Sequence, residues 1–263
     1  MSQSAFRLRP ANPAPSPCKL CGGVSRLFGV TDFNRGCSET RGSFLPVLGI
    51  PIYYRQCDAC GLLFTEAFDD WSAADFEAHI YNEAYGAVDP DYETARPQNN
   101  ARLVVNTFGA SAGELSALDY GGGNGVLARA LGAAGFARAD TYDPFHPAHR
   151  TRPERRYDLV TCFETLEHMP DPVAGAADIV SFLEDDGLLV ISTLTQPADF
   201  PTLRMQWWYA GPRNGHVTLH TRASLGILWA RHGLRVHSFN DNVHAVFRRP
   251  PAFARHILKD AAP

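Results

Sequence analysis

Asp119-Tyr120-Gly121-Gly122-Gly123-Asn124-Gly125 sits where a β-prone run, residues 115–120, gives way to a helical one, residues 126–135. Glycines at such a junction admit positive φ and let a bound group approach the backbone closely. The start of the following helix offers free N–H groups to an anionic group such as a carboxylate or phosphate. The next β-prone run, 139–143, ends in a second acid, Asp143. In an open α/β sheet these two strand ends border one crevice. A carboxylate there can accept hydrogen bonds from both hydroxyls of a ribose, so the pair of motifs suits an adenosyl ligand.

Outward from this stretch the same alternation continues. Strands are expected at 157–163 and 187–193, with a helix near 173–183 between them. Thr221 reads as the N-cap of a helix through Leu225, Leu228 and Trp229, closed by Gly233, and two strands at 234–239 and 244–248 complete the run. Strands alternating with helices predict an α/β fold, Rossmann-like, with a mainly parallel sheet covered on both faces. Only thirteen residues separate Asp143 from Tyr157, which leaves little room for a further helix and strand.

The glycine loop alone does not choose its ligand. Gly123-Asn-Gly125-Val-Leu-Ala128 also satisfies the dinucleotide fingerprint G-x-G-x-x-G/A, and a structural turn without ligand is the plainer alternative. Two later segments decide: Tyr157-Asp158-Leu-Val-Thr-Cys-Phe163-Glu164-Thr-Leu-Glu167-His168-Met-Pro-Asp-Pro, and Leu183-Glu-Asp-Asp-Gly187-Leu-Leu-Val-Ile-Ser-Thr. With the Asp-x-Gly-x-Gly-x-Gly loop, in this order, they make residues 113–248 resemble the class I S-adenosylmethionine-dependent methyltransferase superfamily. The resemblance implies that Asp119, Gly121, Gly122, Gly123 and Asn124 hold the methionine end of the cofactor and Asp143 its ribose. Phe163 and Glu164 would flank the adenine or the methyl group. The short connection after Asp143 departs from the family and leaves the adenine contacts unassigned.

Four of the six cysteines form two knuckles of one shape, Cys18-Lys-Leu-Cys21-Gly22 and Cys57-Asp-Ala-Cys60-Gly61. Two thiolates converge from each, and four match tetrahedral zinc with no open position, hence a structural and not a catalytic ion. A redox dithiol or free thiols are the competing readings. A 35-residue gap between the pairs implies an inserted hairpin. The glycine-rich, β-prone stretch around them is too small to fold on apolar burial alone, which a metal would remedy. A four-cysteine module ahead of a class I domain is similar to bacterial methyltransferases acting on sugars and natural products.

Methyl transfer needs the acceptor aligned and, for oxygen or carbon acceptors, a proton removed. After the strand at 187–193 comes Met205-Gln-Trp207-Trp208-Tyr209-Ala-Gly-Pro-Arg213-Asn214-Gly-His216-Val-Thr-Leu-His220. Its aromatics suit an apolar wall, with His216 as base or acceptor-positioning residue and Arg213 as a polar handle. The plain alternative is a packed loop of hydrogen-bonded histidines. Glu164-x-x-Glu167-His168 resembles a magnesium site of some related families, yet the same letters also cap a helix, and magnesium demands oxygen ligands. Tyr81 and Tyr85 would either cover the pocket or pack between domains.

Composition bounds the rest. The chain is 45% hydrophobic and 20% charged with a net charge of −4, giving no global attraction to nucleic acid or anionic lipid. No apolar stretch is long enough to span a bilayer, and the opening MSQSAFRLRPANPAPSP lacks the apolar core of a secretory signal. The expected layout is a disordered tail 1–17, a zinc-binding module 18–67, a helical connection 68–112, the S-adenosylmethionine-binding domain 113–249 and a C-terminal tail 250–263. The expected protein is cytoplasmic, an enzyme methylating a small-molecule or saccharide acceptor. Two rival readings are an RNA methyltransferase gripping its substrate with the zinc module, against which the sparse aromatic–basic interleaving argues, and a non-catalytic binding subunit.

Overall fold

The structure is a computed structural model describing residues 14–83 and 85–259; most of the expected N-terminal tail and the last four residues lie outside them. Two sheets organise the chain. The first begins with β1 (Ser16–Pro17), β2 (Val24–Asp32), β3 (Pro51–Cys57) and β4 (Leu63–Thr65), all antiparallel neighbours. Helices α1 (Ala73–His79), α2 (Tyr85–Val88) and α3 (Ala95–Phe108) follow. In the first of these, Ser72 and Asp75 form a capping box that sets the N-terminus.

The second sheet is the alternating unit: β5 (Ser116–Tyr120), α4 (Val126–Ala133), β6 (Arg138–Tyr142), β7 (Tyr157–Phe163), α5 (Pro172–Val180) and β8 (Leu183–Ser192). The short helix α6 (Phe200–Leu203), strand β9 (Thr218–Leu219) and helix α7 (Arg222–Ala230) follow, and the hairpin β10 (Arg235–Ser238) with β11 (Val243–Phe247) completes the second sheet. The strand order is β10-β11-β8-β7-β5-β6, with β6, β5, β7 and β8 parallel and β11 antiparallel to both its neighbours. This is the Rossmann-like sheet expected. Among the described residues nothing extends it beyond β6, as the thirteen-residue connection foretold.

Period-two patterning explains why helices cover both faces. Leu118, Val160, Cys162, Leu189 and Ile191 point to one side and pack with Ile179 of α5 and Leu225, Leu228 and Trp229 of α7. Ala117, Leu159, Leu188 and Val190 point to the other, where they meet Val104 and Phe108 of α3 and Leu127 and Leu131 of α4. Ala254 and Leu258, in the segment read as a tail, are buried in this second core.

The small sheet is not closed by its own stretch of chain. Its fifth strand is β9, which pairs Leu219 with Leu63 and Thr218 with Phe64. Cys18, Leu20, Cys57, Cys60 and Phe64 share one apolar cluster with Leu118 and Trp229 of the large sheet and its cover. Thr221 joins the two layers. Its hydroxyl accepts from Ser224 N in the capping box of α7 and donates to Cys60 O at 2.8 Å. A cap of this kind contributes about 1 kcal/mol.

Candidate active site

The carboxyl ends of β5, β6 and β7 open into a cavity of about 1060 Å³. All nine residues assigned to cofactor or catalysis from the sequence line it: Asp119, Gly121, Gly122, Gly123, Asn124, Asp143, Phe163, Glu164 and His216.

Asp119 lies on β5 between the edge strand β6 and β7, its register partners Thr141 on β6 and Thr161 on β7. Thr161 Oγ1 donates to its Oδ1 at 2.8 Å. Burial pushes its carboxyl up to about 7, and the nearby Asp143 adds to the shift. The loop then folds tightly over this acid: a Cβ on Gly122 would lie 2.3 Å from Asp119 Oδ2. Gly121, Gly123 and Gly125 all take positive φ, so the loop is open to glycine and little else. Asp143, at the end of β6, accepts from Gly123 N at 2.9 Å and Phe145 N at 2.8 Å, bracing the loop from the opposite side. A buried acid with no ion pair among the described residues, beneath a glycine cradle and beside a second acid, suits a cationic ligand with ribose hydroxyls.

Glu164 closes β7 in a left-handed conformation, φ 49°, which a non-glycine residue adopts only when its surroundings impose it. Its N–H donates to Ser192 O at 2.8 Å. Burial pushes its carboxyl up to about 7, against the pull of Arg96, whose Nε lies 2.9 Å from Oε2. Arg96 also grips both oxygens of Asp89 at 2.8 Å. Neither Arg96 nor Asp89 was singled out in the sequence, where the pair shows only as an acid and an arginine seven residues apart within the helical connection.

A run of ring contacts leads from the cofactor side to the far wall. Phe145 meets Tyr81 at 5.7 Å, Tyr81 meets His168 at 6.1 Å, and His168 meets His216 at 4.9 Å. His216 Nδ1 donates to Tyr209 O at 2.7 Å and His168 Nδ1 to Gly215 O at 3.1 Å. Burial, with the neighbouring ring, holds His216 well below its ordinary range, and burial takes His168 to about 4, so both are neutral near pH 7. Glu167 is wholly buried beside them, and its carboxyl is raised by burial while Tyr209 OH donates to Oε1. Tyr81, Tyr85, Trp208 and Tyr209 line the cavity.

Two expectations, on Arg213 and Trp207, need correction, and His220 takes no part in the cavity. Arg213 is not a polar handle: it is buried away from the cavity lining and donates to Ile80 O at 3.1 Å, tying the aromatic segment to α1. His220 is likewise absent from the cavity lining and sits against Ser224 Oγ at 3.2 Å at the start of α7. Trp207 packs into the core, leaving Trp208 to face the cavity.

The four knuckle thiols meet as a cluster, Cys18 Sγ to Cys60 Sγ 3.7 Å and Cys21 Sγ to Cys57 Sγ 3.5 Å. Zinc–sulfur bonds of ~2.3 Å require tetrahedral sulfur–sulfur edges of about 3.8 Å, so the donor set fits the ion. Gly22 and Gly61 turn each knuckle at φ 74° and 72°.

The chain belongs to the methyltransferase-domain family, whose model matches residues 92–238. Over shorter stretches it is similar to ubiquinone biosynthesis O-methyltransferases. That of Glaesserella parasuis serovar 5 is 36% identical over 58 residues, 22% of this chain and 25% of that one. That of Xanthomonas campestris pv. campestris is 49% identical over 45 residues, 17% and 19% of the two chains. The chain thus spans a quarter or less of the length of these two relatives. Similar solved structures include magnesium protoporphyrin IX methyltransferase from Synechocystis PCC 6803 with bound SAH, at 18% identity, TM-score 0.44, and coverage of 69% of this chain and 94% of that one. An O-methyltransferase family protein from Burkholderia thailandensis has 15% identity, TM-score 0.45, and coverage of 67% and 64%. None of the described helices is long and apolar enough to cross a membrane.

Proposed function

We propose that this chain transfers a methyl group from S-adenosylmethionine to a hydroxyl of a small-molecule acceptor, with a structural zinc ion held by Cys18, Cys21, Cys57 and Cys60. The observation that carries the reading is the uncompensated, buried Asp119 beneath the glycine loop and beside Asp143, all on one cavity. When bound, the cofactor supplies a methyl carbon already activated by a sulfonium. Asp119 offers it an opposing charge from below the loop, and Asp143 presents the lone pairs left after Gly123 and Phe145 for ribose hydroxyls. Glu164, pinned by Arg96, sets the edge of the cavity where β7 ends.

The acceptor side is apolar with few polar points. Tyr81, Tyr85, Trp208 and Tyr209 make a wall that excludes water and suits a planar ring or the apolar face of a sugar. His216 is the acceptor-positioning residue: with Nδ1 donating to Tyr209 O, its Nε2 keeps a lone pair for whatever lies there. The short stretches shared with O-methyltransferases agree with a hydroxyl acceptor. Calorimetry tests the cofactor class. S-adenosylmethionine should bind and NAD should not, and incubation with phenolic and glycosidic acceptors should produce S-adenosylhomocysteine. Tight NAD binding with no response to S-adenosylmethionine would reject the reading.

A further inference from the structure

We infer that Lys19, inside the first cysteine knuckle, is a positioning residue: its ammonium ties the four-cysteine module to the cavity wall and so holds residues 164–171 against the glycine loop. The inference rests on the methyltransferase reading for the identity of the cofactor which that loop receives.

Three acceptors converge on the one ammonium. Lys19 Nζ donates to Thr65 O at 2.7 Å, to Pro170 O at 3.1 Å and to Asp69 Oδ1. Each of its three protons thus has a partner, and the side chain is only 12% exposed. Nζ also stands 5.5 Å from the centroid of the Phe64 ring on β4. The backbone end is fixed by the knuckle, where Cys18 N donates to Gly23 O at 2.7 Å and Gly22 N to Cys18 O at 3.0 Å. The other end reaches the cavity, since Asp69 and Pro170 both line it.

Pro170 lies between β7 and α5, one residue before the Asp171 cap of that helix. Glu164, Thr165, His168 and Met169 of the same segment line the cavity with it. Two further ties come from around β9: Val217 N donates to Glu167 O at 2.8 Å and Thr218 Oγ1 to Met169 O at 2.7 Å. At its start the segment bears on the cofactor side directly. A Cβ on Gly121 would lie 2.6 Å from Thr165 Oγ1, so Thr165 stands against the glycine loop. Without the ammonium, Pro170 O loses its donor, the segment can draw back, and Gly121 loses the wall it rests on. The cysteine module therefore serves the cofactor site as well as the fold.

Lys19→Met keeps the apolar stem and removes the ammonium. Loaded with cobalt, this variant should show the native sulfur-to-metal charge-transfer band of the thiolate cluster. Its amides in residues 164–171 should exchange hydrogen faster than in the native chain. By calorimetry it should bind S-adenosylhomocysteine about tenfold more weakly, the loss of roughly one charge-assisted hydrogen bond. Lys19→Arg, which keeps charge and reach, should restore most of that affinity. Arg231→Met is the control for a merely structural tie, because Arg231 donates to Leu20 O of the same knuckle from α7 and not from the cavity wall. It should lower the thermal midpoint and leave the affinity unchanged. The inference is overturned if Lys19→Met binds S-adenosylhomocysteine as the native chain does, or if Arg231→Met loses affinity equally. A native chain that binds none refutes the methyltransferase reading instead. The tie is then judged by exchange alone, and unaltered exchange at 164–171 in Lys19→Met overturns it. Should Lys19→Met fail to fold, Lys19→Gln, whose amide ends one bond shorter, supplies the same comparison.

Discussion

Asp119 accepts a hydrogen bond from Thr161 yet has no ion pair among the described residues, and its carboxyl is raised to about 7 from an ordinary 3.8. In the unfolded chain the group ionises near its ordinary value, so from about pH 4 to pH 7 the folded chain holds a proton that the unfolded chain has released. Folding stability therefore falls as pH rises through that window, and the penalty is complete above it. Asp119→Asn keeps an acceptor for Thr161 and removes the penalty. Its thermal midpoint, measured by scanning calorimetry, should exceed the native one by a margin that widens from pH 4 to pH 7, while S-adenosylmethionine affinity is lost. In the native chain a sulfonium ligand favours the anion, so cofactor affinity should decline as pH drops below about 7. At this scale the sequence was legible where chemistry depends on near neighbours: the glycines, the acids and both cysteine knuckles were all visible. It was silent on Arg96 and Asp89, and it misjudged Arg213, because whether an arginine faces a cavity or a backbone carbonyl depends on elements far away in the chain.

Among the elements, the loop between β5 and α4 has the least tolerance. Gly122 does not need a positive φ, but a methyl there would meet Asp119 Oδ2 at 2.3 Å and Thr141 Cγ2 at 2.9 Å. Gly122→Ala must lift the loop away from the acid. Relieving such overpacking costs about 1–3 kcal/mol, so cofactor affinity measured by calorimetry should drop about tenfold or more, with the far-UV circular dichroism unchanged. Strands β7 and β8 were readable because both faces are covered and their apolar runs are long. Strand β9 was not: two residues, Thr218 and Leu219, carry no periodicity, and their partners Phe64 and Leu63 lie at the other end of the chain. The helix α7 was foreseen from Thr221, but the second duty of that threonine, holding Cys60 O, was hidden for the same reason.

For the molecule as a whole, the cysteine cluster and the large sheet are one packed body. Cys18, Cys57 and Cys60 share a core with Leu118 and Trp229, and Arg231 of the α7 C-terminus reaches back to Leu20 O. Removing the proposed zinc ion should thus loosen more than the small sheet. Cys57→Ser, or treatment with a strong chelator, should lower the midpoint of thermal unfolding by roughly 10 °C or more, as one cooperative transition reported equally by Trp fluorescence and circular dichroism. Two separated transitions, with the larger unmoved, would mean that the small sheet unfolds alone. The general outline of this body, an α/β core preceded by a four-cysteine β module, could be read from residue patterns. That the two share strands and side chains could not, since it rests on contacts between the first quarter of the chain and the last.

The fifth strand of the small sheet has a consequence for how the protein is made. A ribosome delivers both knuckles early, yet Thr218 and Leu219 emerge only after most of the large sheet has been translated, roughly ten to thirty seconds later at ordinary elongation rates. Until then the outer edge of β4 offers unpaired amides and carbonyls to any passing strand. Nascent chains would therefore depend on early metal capture, or on a chaperone, to keep that edge from pairing with a neighbour on the same polysome.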